Sequence, residues 1–211
     1  VLLAAFLAIG LSSEWAEAAR CGNSGGGFER WKNDFAKQAA ANGVKKRGLA
    51  AFANTRYSTA TIRADRGQKS FKLSLNQFMA KRGANAIASR GKSLKRQNSS
   101  LFNSLERRYG VPPGPLIAIW GMESGFGGFM GNSHILSSVA TLAYDCRRSA
   151  FFTGHLLAAL QLVDYGIISS STTGAMHGEI GHTQFLPGSV LKYGVDGDGD
   201  RRLDLAGSKW D

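Results

Sequence analysis

VPPGPLIAIWGMESGFGGFM, Val111 to Met130, decides how the rest of the chain is arranged. Pro112, Pro113 and Gly114 interrupt the helix that precedes them. Pro115 suits a first helical turn, where proline's fixed φ fits and its missing N–H is not needed. Leu116, Ile117, Ile119, Trp120 and Met122 make the segment apolar nearly all round, the pattern of a buried helix. Glu123 stands at its far end, the only acid between Glu106 and Asp145. Gly125, Gly127 and Gly128 then stop the helix and leave little side-chain bulk beside it. A carboxyl placed in this way is expected to be desolvated and to lie at the negative end of the helix dipole. Both effects disfavour its charge and raise its pKa. Such a group holds a proton near neutral pH and can give it to a leaving group. The competing reading is a structural glutamate tied to a backbone group, and the pattern leaves both open.

Outward from this stretch the chain reads as mainly helical. Phe28, Trp31, Phe35 and Ala39 recur at helical spacing up to Gly43, and a second short helix covers Lys45 to Asn54. Thr55 to Lys72 is mixed and basic and reads as an extended connection. Ser74 is an N-cap for a helical region reaching Tyr109, with a break expected near Gly91. Its apolar face is assigned to the core, Leu75, Phe78 and Met79 included. Ser137–Tyr144 and Ser149–Tyr165 are two further helices, the second with Phe152, Leu156, Leu160 and Val163 on one stripe. His155 beside that stripe reads as a packed or surface histidine. Gly174 to Gly188 is a glycine-rich loop before a last helical turn ending at Tyr193. No alternating strand series and no internal repeat is seen.

The 211 residues suffice for one good core and a small second lobe. VLLAAFLAIGLSS at the start is apolar but short for a bilayer span, and small residues follow it at Ala16, Ala18 and Ala19. This is the pattern of a secretory signal peptide over residues 1–18, with 19–211 as the mature domain. Arg20 before Cys21 argues against a lipoprotein signal. In an exported chain Cys21 and Cys146, the only two cysteines, suggest one disulfide closing a long loop; two free thiols are the alternative. A net charge of +11 suits an acidic polymer: anionic wall glycan, membrane surface or nucleic acid.

Other chemistry is scarce. Asp196, Asp198, Asp200 and Asp204 in DGDGDRRLD stand at positions 1, 3, 5 and 9 of a calcium loop of the EF-hand type. Arg201 replaces the glycine of position 6, and Gly207 the acid of position 12. A weak structural calcium site and a simple aspartate-rich turn both fit. The four histidines and two cysteines show no zinc spacing, and no nucleophile elbow or P-loop is present. No nucleic-acid module is recognisable, so nucleic acid is not expected as a partner.

Three separated stretches, VPPGPLIAIWGMESGFG, TLAYDCRRS and GEIGHTQFLPGSVLKYGVDGDGD, resemble the membrane-bound lytic transglycosylase B family. These are lysozyme-like enzymes that cleave peptidoglycan in Gram-negative bacteria. The resemblance runs from about Cys21 to Asp211. CGNSGGGF and AYDCRRS resemble the exported branch that carries a cysteine in both places. The resemblance implies a mainly α, lysozyme-like catalytic domain acting on peptidoglycan glycan strands in the periplasm. It needs no cofactor beyond a possible structural calcium, has no transmembrane segment in the mature chain, and works beside the cell-wall synthesis machinery.

The resemblance also implies roles for single residues. Glu123 is the single acid and base that cuts the bond between N-acetylmuramic acid and N-acetylglucosamine, leaving a 1,6-anhydromuramoyl end. Gln184 bonds substrate or orients Glu123, and Phe185 forms part of the sugar floor. Arg147 and Arg148 face the peptide stem, and Tyr144 and Tyr193 stack on sugar rings. Asp145 and Glu179 are the acids left as spatial partners for Glu123. His177 and Glu179 stand where relatives have small residues, and Ala175 where some have serine. The family continues past Asp211 with further cleft tyrosines. A hydrolytic muramidase and a non-catalytic peptidoglycan-binding protein are the alternatives.

Overall fold

A computed structural model describes residues 19–67 and 72–211. The expected signal peptide over residues 1–18 lies outside the described residues. The helices are α1 (Phe28–Ala41), α2 (Lys46–Ala53), α3 (Thr59–Arg66), α4 (Leu75–Arg82), α5 (Ala84–Gln97), α6 (Ser99–Tyr109), α7 (Pro113–Ser124), α8 (Ile135–Tyr144), α9 (Ser149–Tyr165) and α10 (Pro187–Tyr193). Strands β1 (Ser133–His134) and β2 (Thr173–Gly174) pair antiparallel, Ser133 opposite Gly174.

The main core joins the two ends of the described chain. Phe28, Trp31, Phe35 and Phe52 from α1 and α2 pack with Ile135, Val139, Leu142, Phe152, Leu156 and Leu160 from α8 and α9. Trp31 stacks on Phe35 with ring centroids 5.0 Å apart. α2 is short and supplies no side-chain cap of its own. Asp164 of α9 caps it instead, accepting from Lys45 N at 2.6 Å and Gly48 N at 2.7 Å. Close approach is possible because Gly48 has no Cβ; one placed there would lie 2.6 Å from the Leu160 carbonyl oxygen. Lys32, buried, donates to the carbonyls of Ala53 and Thr55 at 3.0 Å each, tying α1 to the exit of α2.

A smaller second core lies between α5, α6 and α7, built on Phe102, Ile117, Trp120 and Phe126 with Ile87, Leu94 and Leu116 against it. Here the expected break at Gly91 is corrected. α5 runs straight through Gly91, which is buried, and a Cβ there would meet Ile117 Cγ2 at 2.6 Å. The glycine permits helix contact; the breaks fall at Gly83, left-handed at φ +66°, and at Asn98. Ser74 does cap α4, in a reciprocal capping box with Gln77. Met79, assigned to the core from its spacing, is 44% exposed, because α4 packs on little besides α5. The expected extended connection after Thr55 is also corrected. α3 forms there, capped by the Ser58 hydroxyl, and its buried residues are Thr61 and Asp65.

Cys21 and Cys146 are joined by a disulfide across 125 residues, beside the backbone pair Gly22 N–Tyr144 O at 3.0 Å. Replacing both by serine removes the chain-entropy effect of that closure. The expected loss is about 2–4 kcal/mol of unfolding free energy, measured by urea denaturation against the oxidised wild type.

Candidate active site

α7 is buried on one side only. Ile117, Trp120, Gly121 and Ser124 face the second core, whereas Ile119, Met122 and Glu123 are exposed, Ile119 by 42%. The expected desolvation of Glu123 is therefore corrected. The apolar outer face of α7 borders a cavity of about 510 Å³ rather than a core; Leu116, Ile119, Phe185, Tyr193 and Trp210 are among its walls. Glu123 lies one helical turn beyond Ile119 and so continues that face.

The end of α7 is fastened to the loop that carries Gln184. Trp120 Nε1 donates to His182 Nδ1 at 2.9 Å, and Ser124 Oγ donates to the His182 carbonyl at 2.6 Å. Gly127 N donates to Ser124 Oγ at 2.9 Å. Gly127 is left-handed at φ +80°, and a Cβ on it would lie 2.3 Å from the His182 ring, so only glycine lets the chain turn under the histidine. Gln184 Nε2 donates to Gly181 O at 2.8 Å and to Met130 O at 3.2 Å, a second tie between the two segments. Phe126 and Gln184, neither of them glycine, are also left-handed, at φ 63° and 53°. Strained backbone on both sides of one junction is a mark of functional sites.

Arg147 and Arg148 converge on the buried carboxylate of Asp65 instead of lining the cavity. Arg148 Nη1 lies 3.0 Å from Asp65 Oδ1, and Arg147 Nη2 pairs with Oδ2. Both guanidinium groups remain half-exposed. Burial alone would raise the Asp65 carboxyl, but hydrogen bonds from the two arginines hold it below its usual value. Asp145 is likewise buried and pairs with Arg66 at 2.5 Å. Glu179 Oε1 lies 3.5 Å from His177 Nδ1, which raises the histidine.

Phe185 and Tyr193 stand exposed on the cavity wall. Tyr144 does not join them, and its expected stacking on sugar is corrected. It is 4% exposed, packed edge-on against Phe28 and Tyr57, with its hydroxyl where a Cβ on Gly22 would fall.

In the acidic loop the carboxylates of Asp196 and Asp198 converge with that of Asp211, all within 4.8 Å. Asp200 and Asp204 turn away to accept from Arg202 N and Gly207 N, each at 2.8 Å. Arg201 takes the left-handed turn of position 6 at φ 68° without being glycine. Sequence reasoning missed Asp65, Trp120, Ser124, His182 and Asp211. Asp65 had a signal, being the one acid in a long basic stretch. The others acquire partners only through the fold.

Burial lowers the His182 pKa from its ordinary 6.5, with Lys209 adding to the effect, so the ring is neutral at pH 7 and its Nδ1 can accept. Because the native value is depressed, the latch is whole above pH 6.5 and is lost as pH falls through the native value. A change in tryptophan emission is expected with a midpoint below 6.5, absent from Trp120→Phe.

The family profile described as "Transglycosylase SLT domain" matches residues 27–211. Membrane-bound lytic murein transglycosylase B of Escherichia coli K12 is 34% identical over 117 residues, 54% of this chain and 31% of that protein. Among solved structures, SltB3 of Pseudomonas aeruginosa in complex with NAG-NAM-pentapeptide superposes with a TM-score of 0.79 at 36% identity, over 86% of this chain and 49% of that one. Escherichia coli Slt35 in complex with calcium reaches a TM-score of 0.68 at 21% identity over 90% of this chain and 62% of that one, a likeness of fold. The chain thus spans about half the length of SltB3 and about a third of the Escherichia coli transglycosylase B. Its helical, lysozyme-like architecture and the match across residues 27–211 place it in one family: the chain belongs to the SLT-domain lytic transglycosylases.

Proposed function

We propose that this chain is the catalytic part of a periplasmic lytic murein transglycosylase with Glu123 as its acid and base. The observation that carries this is the junction at the end of α7, where Glu123 is held beside the loop of Gln184. Glu123 protonates the glycosidic oxygen between N-acetylmuramic acid and N-acetylglucosamine as the C1–oxygen bond breaks. The carboxylate so formed takes the proton of the muramoyl 6-hydroxyl while that oxygen bonds to C1. The product is a 1,6-anhydromuramoyl end, and no water is consumed. An exposed Glu123 suits an open groove: a bound glycan covers the carboxyl and desolvates it only when the proton is needed.

Hydrolysis by two carboxylates is less well supported, since it needs a second acid about 5–9.5 Å from the first. Asp145 and Glu179, the acids weighed from sequence, are engaged by Arg66 and His177. Gln184 has used both amide hydrogens, so its oxygen is left to accept from a sugar hydroxyl or from protonated Glu123. Phe185 and Tyr193 offer ring faces to sugars, and the outward N–H groups of Arg147 and Arg148 suit stem carboxylates. Glu123→Gln is expected to keep the fold and to lower release of anhydromuropeptides from purified sacculi by at least about a thousandfold. Product masses decide the chemistry: ends heavier by one water make it a muramidase, and unchanged release by the variant removes Glu123 from the role.

Asp196, Asp198 and Asp211 are proposed to hold a structural calcium, as the charge and oxygen donors of the trio allow. Slt35, a more distant fold relative, has been solved with calcium. Millimolar calcium is expected to raise Tm by several degrees, and Asp211→Asn to abolish the rise. A Tm indifferent to calcium and chelator in the wild type removes this assignment.

A further inference from the structure

Between Asp65 and Glu106 the sequence holds nine Lys or Arg and no Asp or Glu. α4 and α5 carry most of this stretch and meet at Gly83. α5 turns Ile87, Gly91 and Leu94 toward α7, which explains its inner face. By helical spacing the opposite side carries Lys92 and Arg96, with Lys95 on the flank between, all exposed. In α4, Leu75 is 74% exposed and Met79, one turn later, is exposed too, with Lys81 and Arg82 in the last turn. Among the described residues none of these five cations forms an ion pair. Lys95 and Arg96 suit the negative end of α5. Lys81 and Arg82 suit the end of α4 in the same way. Among the described residues no ion pair accounts for Lys92, and no contact covers the side chains of Leu75 and Met79.

We propose that this helical corner is a docking surface for an anionic phospholipid bilayer. The five cations meet lipid phosphates, and Leu75 and Met79 enter the headgroup boundary. A polyanion without an apolar phase satisfies only half of this surface. Leucine and methionine gain nothing against a phosphodiester backbone or a hydrated glycan. Among the described residues the corner has no exposed aromatic ring for base stacking: Phe78 is half-buried, with the Arg82 guanidinium 5.6 Å from its ring centre. A bilayer takes both kinds of side chain at once. The inference does not depend on the transglycosylase reading, because its readout is binding to lipid and not cleavage.

The mature chain, residues 19–211, is sedimented with vesicles of equal parts phosphatidylglycerol and phosphatidylcholine, and with pure phosphatidylcholine, at physiological salt. Binding to the anionic vesicles alone is expected. The combined change Lys92→Glu, Lys95→Glu and Arg96→Glu is expected to weaken it by roughly tenfold or more. Arg30→Glu with Lys37→Glu and Lys46→Glu, an equal charge change on exposed positions of α1 and α2, is expected to weaken it far less. Leu75→Ser with Met79→Ser, at unchanged charge, is expected to weaken it severalfold, and this pair decides if the charge-reversed protein loses its helical circular dichroism. Equal losses from the two charge reversals, no effect of the Leu75 and Met79 pair, or binding to an oligonucleotide or sacculi but not to vesicles would each overturn the proposal.

Discussion

The geometry of the site depends on a pair of bonds to one residue. His182 receives the Trp120 indole at its ring and the Ser124 hydroxyl at its carbonyl, so side chain and backbone of one loop position grip the last two turns of α7. Both donors point inward, and Glu123, between them in sequence, is left pointing out. Rigid positioning of the carboxyl is what the proposed acid–base role of Glu123 requires. The glycines after α7 serve this arrangement: side-chain bulk at Gly127 would push the histidine ring away.

Much of the fold was legible because it follows apolar spacing. α1 and α9 are long, striped and packed on each other's neighbours, so spacing located them closely. α3 escaped because the face it buries is Thr61 and Asp65, and polar burial leaves no hydrophobic period. Gly91 was misread for a related reason. A glycine inside a helix signals a break in isolation, but here it marks where α5 and α7 come close.

The site was legible in its residues and not in its environment. Glu123 was named from the pattern of its helix and Gln184, Phe185 and Tyr193 from the resemblance; the fold places Phe185 and Tyr193 on the cavity wall and Glu123 on the helical face that runs to it. The error over Glu123 came from equating an apolar helix with a buried one. Ile119 is apolar because it borders a cavity, and sequence does not distinguish a wall from a core. Tyr144 was assigned by its neighbours in the chain, yet helix α8 turns it into the aromatic cluster. Asp211 was missed because the loop template seeks its last acid at position 12, which is Gly207 here.

The reach of Asp164 to the start of α2 bears on the order in which the molecule is made. The cap and the helix it serves are 116 residues apart, and the main core joins the same distant segments. α1 and α2 therefore leave the ribosome long before the groups that hold them exist. Until those segments are in place, Phe28, Trp31, Phe35 and Phe52 have no cover. The small lobe of α5 to α7, made in between, has its own contacts and can close first. The N-terminal helices gain their main packing partners only once α8 and α9 are in place.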